Sequence, residues 1–509
     1  MSLTLFIEQA FSLIGLKLIK WPKNQAVETI NIVWFKRDLR IAYHKPLQCA
    51  IREGRPLLLL YIQEPELWED DHMDHRHNRC VYQSLQSMNG QLAKFNQRIV
   101  VIEGNPLDIF QYIHQHCTIH HVFSHQETGL RQTYRRDIQL KDFFLESSIL
   151  WKEFQRNGVV RGLKNRDTWR KAWYHHMNSP IDSVDQSQLP HPPVFDSLPE
   201  FDWPAILTTD SKQIQSIGLN EAQHTMTSFL TERGRHYMQN ISKPETSATH
   251  CSRLSPFLVY GNLSIRQVFQ AALKQKEFGW KRNMASFRSR LRWHDHFIQK
   301  FEMEDRMEFE HVNRGYELLN KTRNDDYLEA WATGTTGFPL VDACMRCLQA
   351  TGYVNFRMRA MVVSFLTHLL WQDWRWGSPI LSKYFLDFEP GIHFSQFQMQ
   401  AGVTGINTVR MYNPVKQSMD NDAEGAFIKR WVPELSNVPI QFIHEPWKLT
   451  ALDRKFLNLD HAYPDPIVNH IEAGREARKR IWSIRNHPAV REESRRILKK
   501  HTLPGRRNA

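Results

Sequence analysis

Four short, continuous apolar runs alternate with helical patterns in the first third of the chain. The runs occupy residues 31–35, 56–62, 98–102 and 120–123, and helical patterns fill residues 79–95 and 106–115. A strand that is apolar along its whole length is buried on both faces, as in a parallel sheet covered by helices. The alternation therefore predicts a doubly wound α/β domain, with residues 149–154 as a candidate fifth strand.

The rest of the chain has a different pattern. Residues 178–209 are rich in Pro, Ser and Asp, which indicates a long connecting loop. From about residue 221 onward the pattern is helical without strand-like runs, which predicts an all-α domain with its ligand in a cleft between helices. We therefore expect an N-terminal extension 1–30, an α/β domain 31–177, a linker 178–220, a helical domain 221–470 and a basic tail 471–509.

The two ends carry unusual compositions. The apolar stretch within residues 1–30 is interrupted by Glu8 and Lys17, so it indicates an amphipathic extension and not a membrane-spanning helix. The tail from Glu472 is strongly basic, which predicts a helix ending in a basic arm, or simply a solvated end. We expect a soluble intracellular monomer in the cytoplasm, without a membrane partner.

Charge and cysteine content narrow the class of protein. The 66 Lys and Arg against 54 Asp and Glu give a net charge of +12, which favours nucleic acid as a partner, although a solvated basic surface explains it equally well. The six Cys are scattered, which argues against a disulfide framework. Cys344 and Cys347 form a CxxC inside a helical pattern without further ligands nearby, so no metal site is expected.

Six segments of the helical half carry the residues of interest. They are residues 251–261, 289–297, 331–343, 352–361, 386–393 and 409–417. In the first, Ser252, Ser255, Pro256 and Gly261 make a turn whose hydroxyls and free amides suit a phosphate. An ordinary capped turn would explain the same residues.

Taken in order, these segments and residues 34–40 resemble the photolyase and cryptochrome family, over about residues 31–469. In that family an α/β antenna domain precedes an all-α domain that binds FAD. The resemblance implies a deoxyribodipyrimidine photolyase that splits UV-induced pyrimidine dimers in DNA by electron transfer from excited, reduced FAD. The alternatives are a cryptochrome-like blue-light receptor without repair activity, and a nucleic-acid-binding protein that has lost its flavin.

The resemblance also implies site residues by position. Arg359 and Asp387 match an ion pair beside the flavin, where a cation stabilises the anionic reduced ring; a salt bridge within a helical core is the alternative. His393 falls near the position that faces flavin N5, where a His could set protonation and report pH. The catalytic set is Trp293, Arg359, Asp387, His393 and Trp374. The implied FAD contacts are Tyr237, Ser252, Leu254, Ser255, Arg290, Trp293, Asn355, Arg359, Asp387, Glu389 and His393.

DNA contacts are expected at the same cleft. Arg357, Arg410 and Lys416 are the candidates for phosphate contacts, which would position the duplex while the lesion flips into the cavity. Trp331 and Tyr353 are expected to supply stacking walls.

The chain departs from its relatives along the usual path of electrons to FAD. The middle Trp of that path matches Trp374, but the inner position falls on Phe397 or Gln398 and the outer one near Lys321. The usual chain of three Trp is therefore broken. A different path through Trp371, Trp376 and Tyr384 is one interpretation of these aromatic residues, and core packing is the other.

The residues expected at the lesion pocket also differ from those of the relatives. Phe356 and Ala360 occupy the positions of two His that relatives use on (6-4) lesions, which argues against that chemistry. Arg290 stands where relatives that repair cyclobutane dimers often have an acidic residue, which weakens the dimer assignment. An antenna pigment of folate or deazaflavin type is possible for this family, but no ligands for it are assigned.

Overall fold

The N-terminal part is built on one parallel sheet. The computed structural model describes residues 28–193, 201–208, 213–459 and 463–504, so most of the N-terminal extension lies outside the described residues. The strands are β1 (Thr29–Phe35), β2 (Leu57–Gln63), β3 (Ile99–Glu103), β4 (Thr118–His125) and β5 (Leu150–Phe154). Their order is β3-β2-β1-β4-β5 and every neighbouring pair is parallel. This confirms the doubly wound sheet and its fifth strand.

Six helices accompany this sheet. They are α1 (Lys45–Glu53), α2 (Pro65–Trp68), α3 (His75–Leu92), α4 (Pro106–His116), α5 (Arg131–Glu146) and α6 (Trp169–Asn178). Local sequence fixes their ends: Asn105 caps α4 through its side chain, and Gly54 ends α1 in the left-handed conformation. Strand β2 is buried along its whole length, as expected for a strand covered on both faces.

The linker follows the open edge of the sheet. Leu57 N donates to His191 O at 3.1 Å, and Phe201 N donates to Val101 O at 2.9 Å. The linker therefore satisfies backbone groups at β2 and at the edge strand β3, which would otherwise be free to pair with another chain.

Beyond the sheet, the described residues form helices and no further strand, which confirms the all-α C-terminal domain. These helices are α7 (Ala205–Thr208), α8 (Leu219–Thr231), α9 (Tyr237–Asn240), α10 (Pro244–His250), α11 (Ser255–Val259), α12 (Ile265–Lys274), α13 (Lys281–Met303), α14 (Asp325–Thr333), α15 (Pro339–Thr351), α16 (Phe356–Ser364), α17 (Trp374–Tyr384), α18 (Pro390–Gln400), α19 (Pro414–Asn421), α20 (Ala426–Trp431), α21 (Ile440–Ile443), α22 (Ala451–Phe456), α23 (His470–Arg485) and α24 (Pro488–His501). Between α16 and α17 the chain makes a π-helical turn, Phe365–Leu369.

The two parts meet at the loop that follows β1. Leu39 N donates to Tyr260 O at 2.9 Å, and Asn262 Nδ2 donates to Leu39 O at 2.9 Å. Gly261 has a positive φ of 79°, and a side chain there would collide with the backbone of Arg37 and Asp38. The motif after β1 therefore joins the sheet to the turn that precedes the helical domain.

The basic C-terminal segment is folded, at least as far as Pro504. Helices α23 and α24 pack on the helical domain through buried residues such as Ile481, Val490 and Ile497, so the expected arm is instead a helical pair. Cys344 and Cys347 lie inside α15 and are buried, as the packed-helix interpretation of CxxC requires. Among the described residues, no helix is long and apolar enough to cross a bilayer.

Candidate flavin and DNA cleft

Arg359, on α16, and Asp387, just before α18, form an ion pair in which one guanidinium nitrogen approaches both carboxylate oxygens. We call the surroundings of this pair the candidate cleft. Arg359 Nη2 lies 2.9 Å from Asp387 Oδ1 and 3.0 Å from Oδ2, and Arg359 Nε donates to Val354 O at 2.9 Å. The Asp387 side chain is 7% exposed and that of Arg359 is 27% exposed. The pair is thus fixed in orientation while its guanidinium stays accessible, as a group that faces a bound ring must be.

The turn before α11 borders the same cleft. Arg253 has a φ of 58°, an uncommon conformation for a residue with a side chain. Its guanidinium lies 3.6 Å from the centroid of the Tyr353 ring. Ser252 and Ser255 flank it and are partly exposed, whereas Leu254 is buried. The structure thus brings this turn to the residues just before α16.

An unpaired buried donor supports a polar ligand in this cleft. Asn355 caps α16, since its Oδ1 accepts from Met358 N at 3.0 Å. Its Nδ2 is buried and has no hydrogen-bond partner among the described residues. Because buried amides are nearly always paired, such an atom indicates a missing acceptor. Together with Ser252, Ser255 and the Arg359–Asp387 pair, it fits a dinucleotide that carries phosphates and a polar ring.

The Glu389 carboxylate has different partners from that of Asp387, two residues before it. Its buried carboxylate faces the α/β part, where Arg37 Nη2 lies 3.0 Å from Oε2 and Arg156 Nη2 lies 4.0 Å away. Its Oε1 is a buried acceptor without a partner in the described part of the chain. Glu389 therefore bridges the two domains and does not join Arg359, although Oε1 is still available to a donor on a ligand.

His393 does not have the titration behaviour expected of a pH reporter. Its Nε2 lies 3.0 Å from both the hydroxyl and the carbonyl oxygen of Ser378. Burial lowers the pKa of His393 to about 3. The ring is therefore neutral at physiological pH, which argues against the expected pH-reporting role. With Nε2–H donated to the Ser378 carbonyl, Nδ1 is left as an acceptor.

Exposed aromatic and basic side chains form the mouth of the cleft. Trp293 is 37% exposed and Phe356 is 40% exposed. The Arg290 guanidinium lies 5.0 Å from the Phe356 ring centroid, and that of Arg357 lies 5.3 Å from it. Two cations thus flank an accessible ring, an arrangement that suits a stacked base next to phosphates.

Tyr237 is buried behind the mouth. Its ring contacts Phe287 at a centroid distance of 5.9 Å, and burial raises the pKa of its hydroxyl. Arg290 opposes that rise, so the two side chains interact.

The three expected phosphate contacts are differently placed. Arg410 and Lys416 are exposed, and Arg357 is half-buried with Nη1 3.4 Å from the Tyr412 hydroxyl. Arg410 and Lys416 form no side-chain ion pair or hydrogen bond within the described residues, so both charges are available to a polyanion.

Neither Trp331 nor Tyr353 presents a fully exposed ring for stacking. Trp331 is 0% exposed and its Nε1 donates to Val362 O at 3.1 Å, so it is a core residue and the prediction was wrong. Tyr353 is half-buried and one face of its ring is covered by Arg253, so it offers at most the other face. The aromatic rings that are exposed instead are Trp293, on α13, and Phe356, the first residue of α16.

The aromatic residues near Trp374 do not continue as a chain of Trp. Trp374 is buried, its Nε1 donates to His311 Nδ1 at 2.9 Å, and its ring lies 6.4 Å from that of Phe397. Lys321 is half-buried, and its ammonium lies 4.5 Å from the centroid of the Trp371 ring. Phe397 and Lys321, the two departures from the usual path, thus lie beside Trp374 and Trp371.

A second group of polar residues, not identified from the sequence, surrounds cavities at the carboxyl ends of β1 and β2. A small cavity of about 60 Å³ and an outer one of about 700 Å³ share Glu64 and Leu67 in their walls. Arg136 contacts Glu64 and Glu127 at 2.5 Å each, and burial raises the pKa of Glu64 to about 7. Only their position after strand ends could have identified them, because ligands of open α/β sheets bind at this edge.

Three buried side chains of metal-ligand type satisfy each other. Asp38 Oδ2 lies 2.8 Å from His44 Nε2 and 2.7 Å from His125 Nδ1. His44 Nδ1 accepts from Leu47 N at 3.1 Å, so its Nε2 carries the proton given to Asp38. This network is accounted for by its own hydrogen bonds.

Comparisons with known proteins agree with this architecture. The family described as DNA photolyase matches residues 31–167, and the one described as FAD binding domain of DNA photolyase matches residues 287–483. The chain is 27% identical over 478 residues to a deoxyribodipyrimidine photo-lyase of Vibrio cholerae, covering 89% of this chain and 99% of that one. It is 26% identical over 499 residues to a cryptochrome DASH of Synechocystis, covering 88% and 97%.

Solved structures share the fold. A Synechocystis cryptochrome superposes with a TM-score of 0.82 at 24% identity, covering 90% of this chain and all of that one (100%). A class III photolyase of Agrobacterium tumefaciens gives a TM-score of 0.79 at 22% identity, covering 91% and 99%. With both domain families matched in order, the chain belongs to the photolyase and cryptochrome family and carries its FAD-binding domain.

Proposed function

We propose that this protein is a light-driven DNA repair enzyme, a deoxyribodipyrimidine photolyase. The observation that carries the proposal is the Arg359–Asp387 ion pair, whose guanidinium stays accessible. Trp293 and Phe356 offer exposed rings in the same helical domain, and the cations Arg410 and Lys416 are exposed and uncompensated in the described part of the chain. Relatives named deoxyribodipyrimidine photo-lyase support it at 26–27% identity.

Reduced FAD, when bound, supplies a light-absorbing electron donor. The residues of the chain hold and surround it. Ser252, Ser255 and Asn355 would bind its polar groups, and the Arg359 guanidinium would stabilise negative charge on the ring. His393, neutral and fixed by Ser378, offers an acceptor nitrogen and no charge.

The mouth residues would bind the lesion. Arg357, Arg410 and Lys416 would hold phosphates on either side of the damaged site, so that the dimer can leave the base stack. Trp293 and Phe356 would then pack against the extruded pyrimidines, and Arg290 would meet a carbonyl oxygen or a phosphate. Splitting the dimer breaks the two bonds that join the pyrimidines, and the donated electron returns to its donor, so no external oxidant or reductant is consumed per turnover.

Illumination of FAD-loaded, reduced protein with DNA containing cyclobutane dimers tests the proposal. Dimers should disappear in the light and persist in the dark, and a Trp293→Ala variant with the same FAD content should act more slowly. Persistence of dimers in the light with fully reduced, FAD-loaded protein would contradict the proposal.

A cryptochrome-like receptor is the second candidate, and Arg290 favours it. A guanidinium packed on Phe356 occupies the mouth, where relatives that act on dimers often carry an acidic residue. Binding of a partner that depends on light, without any loss of dimers, would favour this function. The third possibility, a protein without flavin, is disfavoured by the match to the FAD-binding domain.

A second pigment has space in the α/β part. The small cavity is lined by residues that follow β1, β2 and β4, so it reaches the point between β1 and β4 where the order of strands reverses, the usual ligand position in such sheets. The outer cavity lies beside it, at the ends of β2 and β3. A folate or deazaflavin type of pigment would be seen as absorption in addition to that of FAD in the purified protein.

A further inference from the structure

Half of the net charge of the chain lies on its last two helices. Residues 470–504 contain ten Lys and Arg against four Asp and Glu, an excess of six, whereas the whole chain of 509 residues has +12. The match to the FAD-binding domain ends at residue 483, so α24 lies beyond it. The cleft described above does not include either helix.

The charges on α23 lie on one face. Arg475, Arg478, Trp482 and Arg485 follow one another at spacings of three, four and three residues, which places them along one stripe of the helix. Lys479 lies four residues after Arg475 and borders the same stripe. We call this stripe the C-terminal basic face. Ala477 and Ile481, on the opposite side, are each 1% exposed and pack on the domain. The basic face therefore points away from the body of the protein.

The basic face is not neutralised by the protein. Arg475 and Arg478 are exposed and form no ion pair or hydrogen bond within the described part of the chain, whereas Arg480 beside them pairs with Glu476 at 2.8 Å. At the centre of the face Trp482 is 49% exposed, and the Arg485 guanidinium lies 4.6 Å from its ring. The face thus combines a half-exposed indole with guanidinium groups that are accessible to a polyanion.

We propose that the C-terminal basic face binds single-stranded nucleic acid, at a site separate from the cleft. Cations spaced along a helix suit consecutive phosphates, and an exposed indole offers a stacking surface to an unpaired base. A membrane surface fits less well, because an interfacial helix needs a row of exposed apolar side chains. Here Trp482 has only Ile471, at the far end of the helix, as an exposed apolar companion on its face.

The position of the two helices relates this site to the cleft. Gly474 of α23 packs against Leu369 of the π-helical turn, and Ser494 of α24 packs against Gly405. Gly405 belongs to the loop that continues to Arg410. The loop that carries one of the expected phosphate contacts of the cleft therefore packs on α24, the helix next to the one that bears the basic face.

Binding of an undamaged oligonucleotide tests the site without involving a lesion. In the FAD-loaded full-length protein, the triple variant Arg475→Glu, Arg478→Glu, Lys479→Glu is compared with wild type by fluorescence anisotropy of a labelled oligothymidylate of about 20 nucleotides. The triple variant should bind roughly tenfold or more weakly than wild type. When salt is varied between about 50 and 200 mM, its slope of log affinity against log salt should be shallower than that of wild type by about 2. Trp482→Ala should also weaken binding roughly tenfold, with Trp482→Phe close to wild type.

A matched control makes the same change of charge elsewhere. Arg52, Arg55 and Lys94 are exposed on the α/β part, and their reversal to Glu should change affinity far less. Equal losses in both triple variants, or none in either, would overturn the site. A second outcome would overturn it in favour of a membrane. In that outcome wild type binds vesicles of anionic phospholipid, and the first triple variant loses vesicle binding but retains oligonucleotide binding. FAD absorbance and thermal unfolding of each variant establish that the fold is intact.

Discussion

The Lys321 ammonium lies 4.5 Å from the centroid of the Trp371 ring, over its face. It donates hydrogen bonds to Thr367 O at 2.7 Å and to Gln372 O at 3.1 Å, so it is fixed there. The Arg480 guanidinium lies 5.1 Å from the same ring. Below pH 7 Lys321 is mostly protonated, so positive charge then lies on two sides of Trp371 and disfavours removal of an electron from it.

We therefore expect Phe397→Trp to speed the light-driven reduction of bound FAD by an external thiol. The Phe397 ring lies 6.4 Å from Trp374, and indole is much more readily oxidised than a phenyl ring. The double variant Phe397→Trp, Lys321→Trp should be faster still. The rate is read from the loss of oxidised flavin absorbance during illumination. A control variant, Phe456→Trp on the exposed helix α22, should leave the rate unchanged.

Lys321 should also make stability depend on pH. Burial lowers its pKa to about 7, below the value of about 10.4 in unfolded chains. Between these values the unfolded state binds more protons, so the free energy of unfolding rises with pH from about 7 to about 10, by at most about 1.4 kcal/mol per pH unit. Lys321→Met should remove that rise, whereas Lys455→Met on the surface should not. Denaturant unfolding at pH 7 and pH 9 measures it; a slope unchanged by Lys321→Met would contradict the prediction.

The Arg359–Asp387 pair should control retention of FAD. Arg359→Leu leaves the Asp387 carboxylate almost buried and without its partner, and removes the cation beside the expected ring, so FAD content after purification should fall roughly tenfold or more. The ratio of flavin to protein absorbance measures it. Arg346 and Glu434 form a similar pair at 2.8 and 2.9 Å away from the cleft. Arg346→Leu should lower stability and leave FAD content per folded molecule unchanged.

Much of this fold could be predicted because the signals are local. Strand β2 is buried on both faces, so its sequence is apolar throughout and the predicted strand, residues 56–62, differs from Leu57–Gln63 by one residue. The residues of β5, at the sheet edge, are exposed or half-buried, so the apolar run that predicts this strand is weaker. The Arg359–Asp387 pair came from the resemblance, and the structure forms this ion pair; its place beside the flavin stays a prediction.

What could not be predicted depends on contacts between distant residues. Glu389 pairs with Arg37, which is 352 positions away in the chain, and no local pattern indicates that it faces the other domain. Trp331 could equally have been a surface or a core residue until its bond to Val362 was known. The neutral state of His393 follows from burial and from Ser378, on a different helix.

Trp293 should matter for damaged DNA more than for undamaged DNA. Its ring is 37% exposed at the mouth, so Trp293→Ala removes a surface against which extruded pyrimidines would stack. Stacking of one base is worth about 1–3 kcal/mol, so affinity for dimer-containing DNA should fall roughly tenfold or more. Competition between damaged and undamaged duplexes measures the ratio. Phe456→Ala, at a site 85% exposed and outside the cleft, is the control, and an equal change in both variants would argue against the role.

Buried neutral histidines should make the fold sensitive to acid. Burial lowers the pKa of His77 to about 4 and those of His368 and His393 to about 3, all below the value of about 6.5 in unfolded chains. Below pH 6.5 these histidines are protonated in the unfolded state but stay neutral in the folded state. Each of them therefore lowers the free energy of unfolding by about 1.4 kcal/mol per pH unit as the pH falls.

His368→Gln is the variant that isolates one of them. His368 lies 3.0 Å from Ser364 Oγ and 3.2 Å from Ala401 O, and an amide at this position can still donate to that carbonyl. Unfolding of the FAD-loaded protein between pH 6.5 and 5 should therefore show a slope shallower by about one proton in the variant. His224→Gln on the surface should leave the slope as it is. An unaltered slope in His368→Gln would contradict the prediction. It would mean that the His368 ring is already the charged imidazolium in the folded protein, with a buried acceptor compensating its charge.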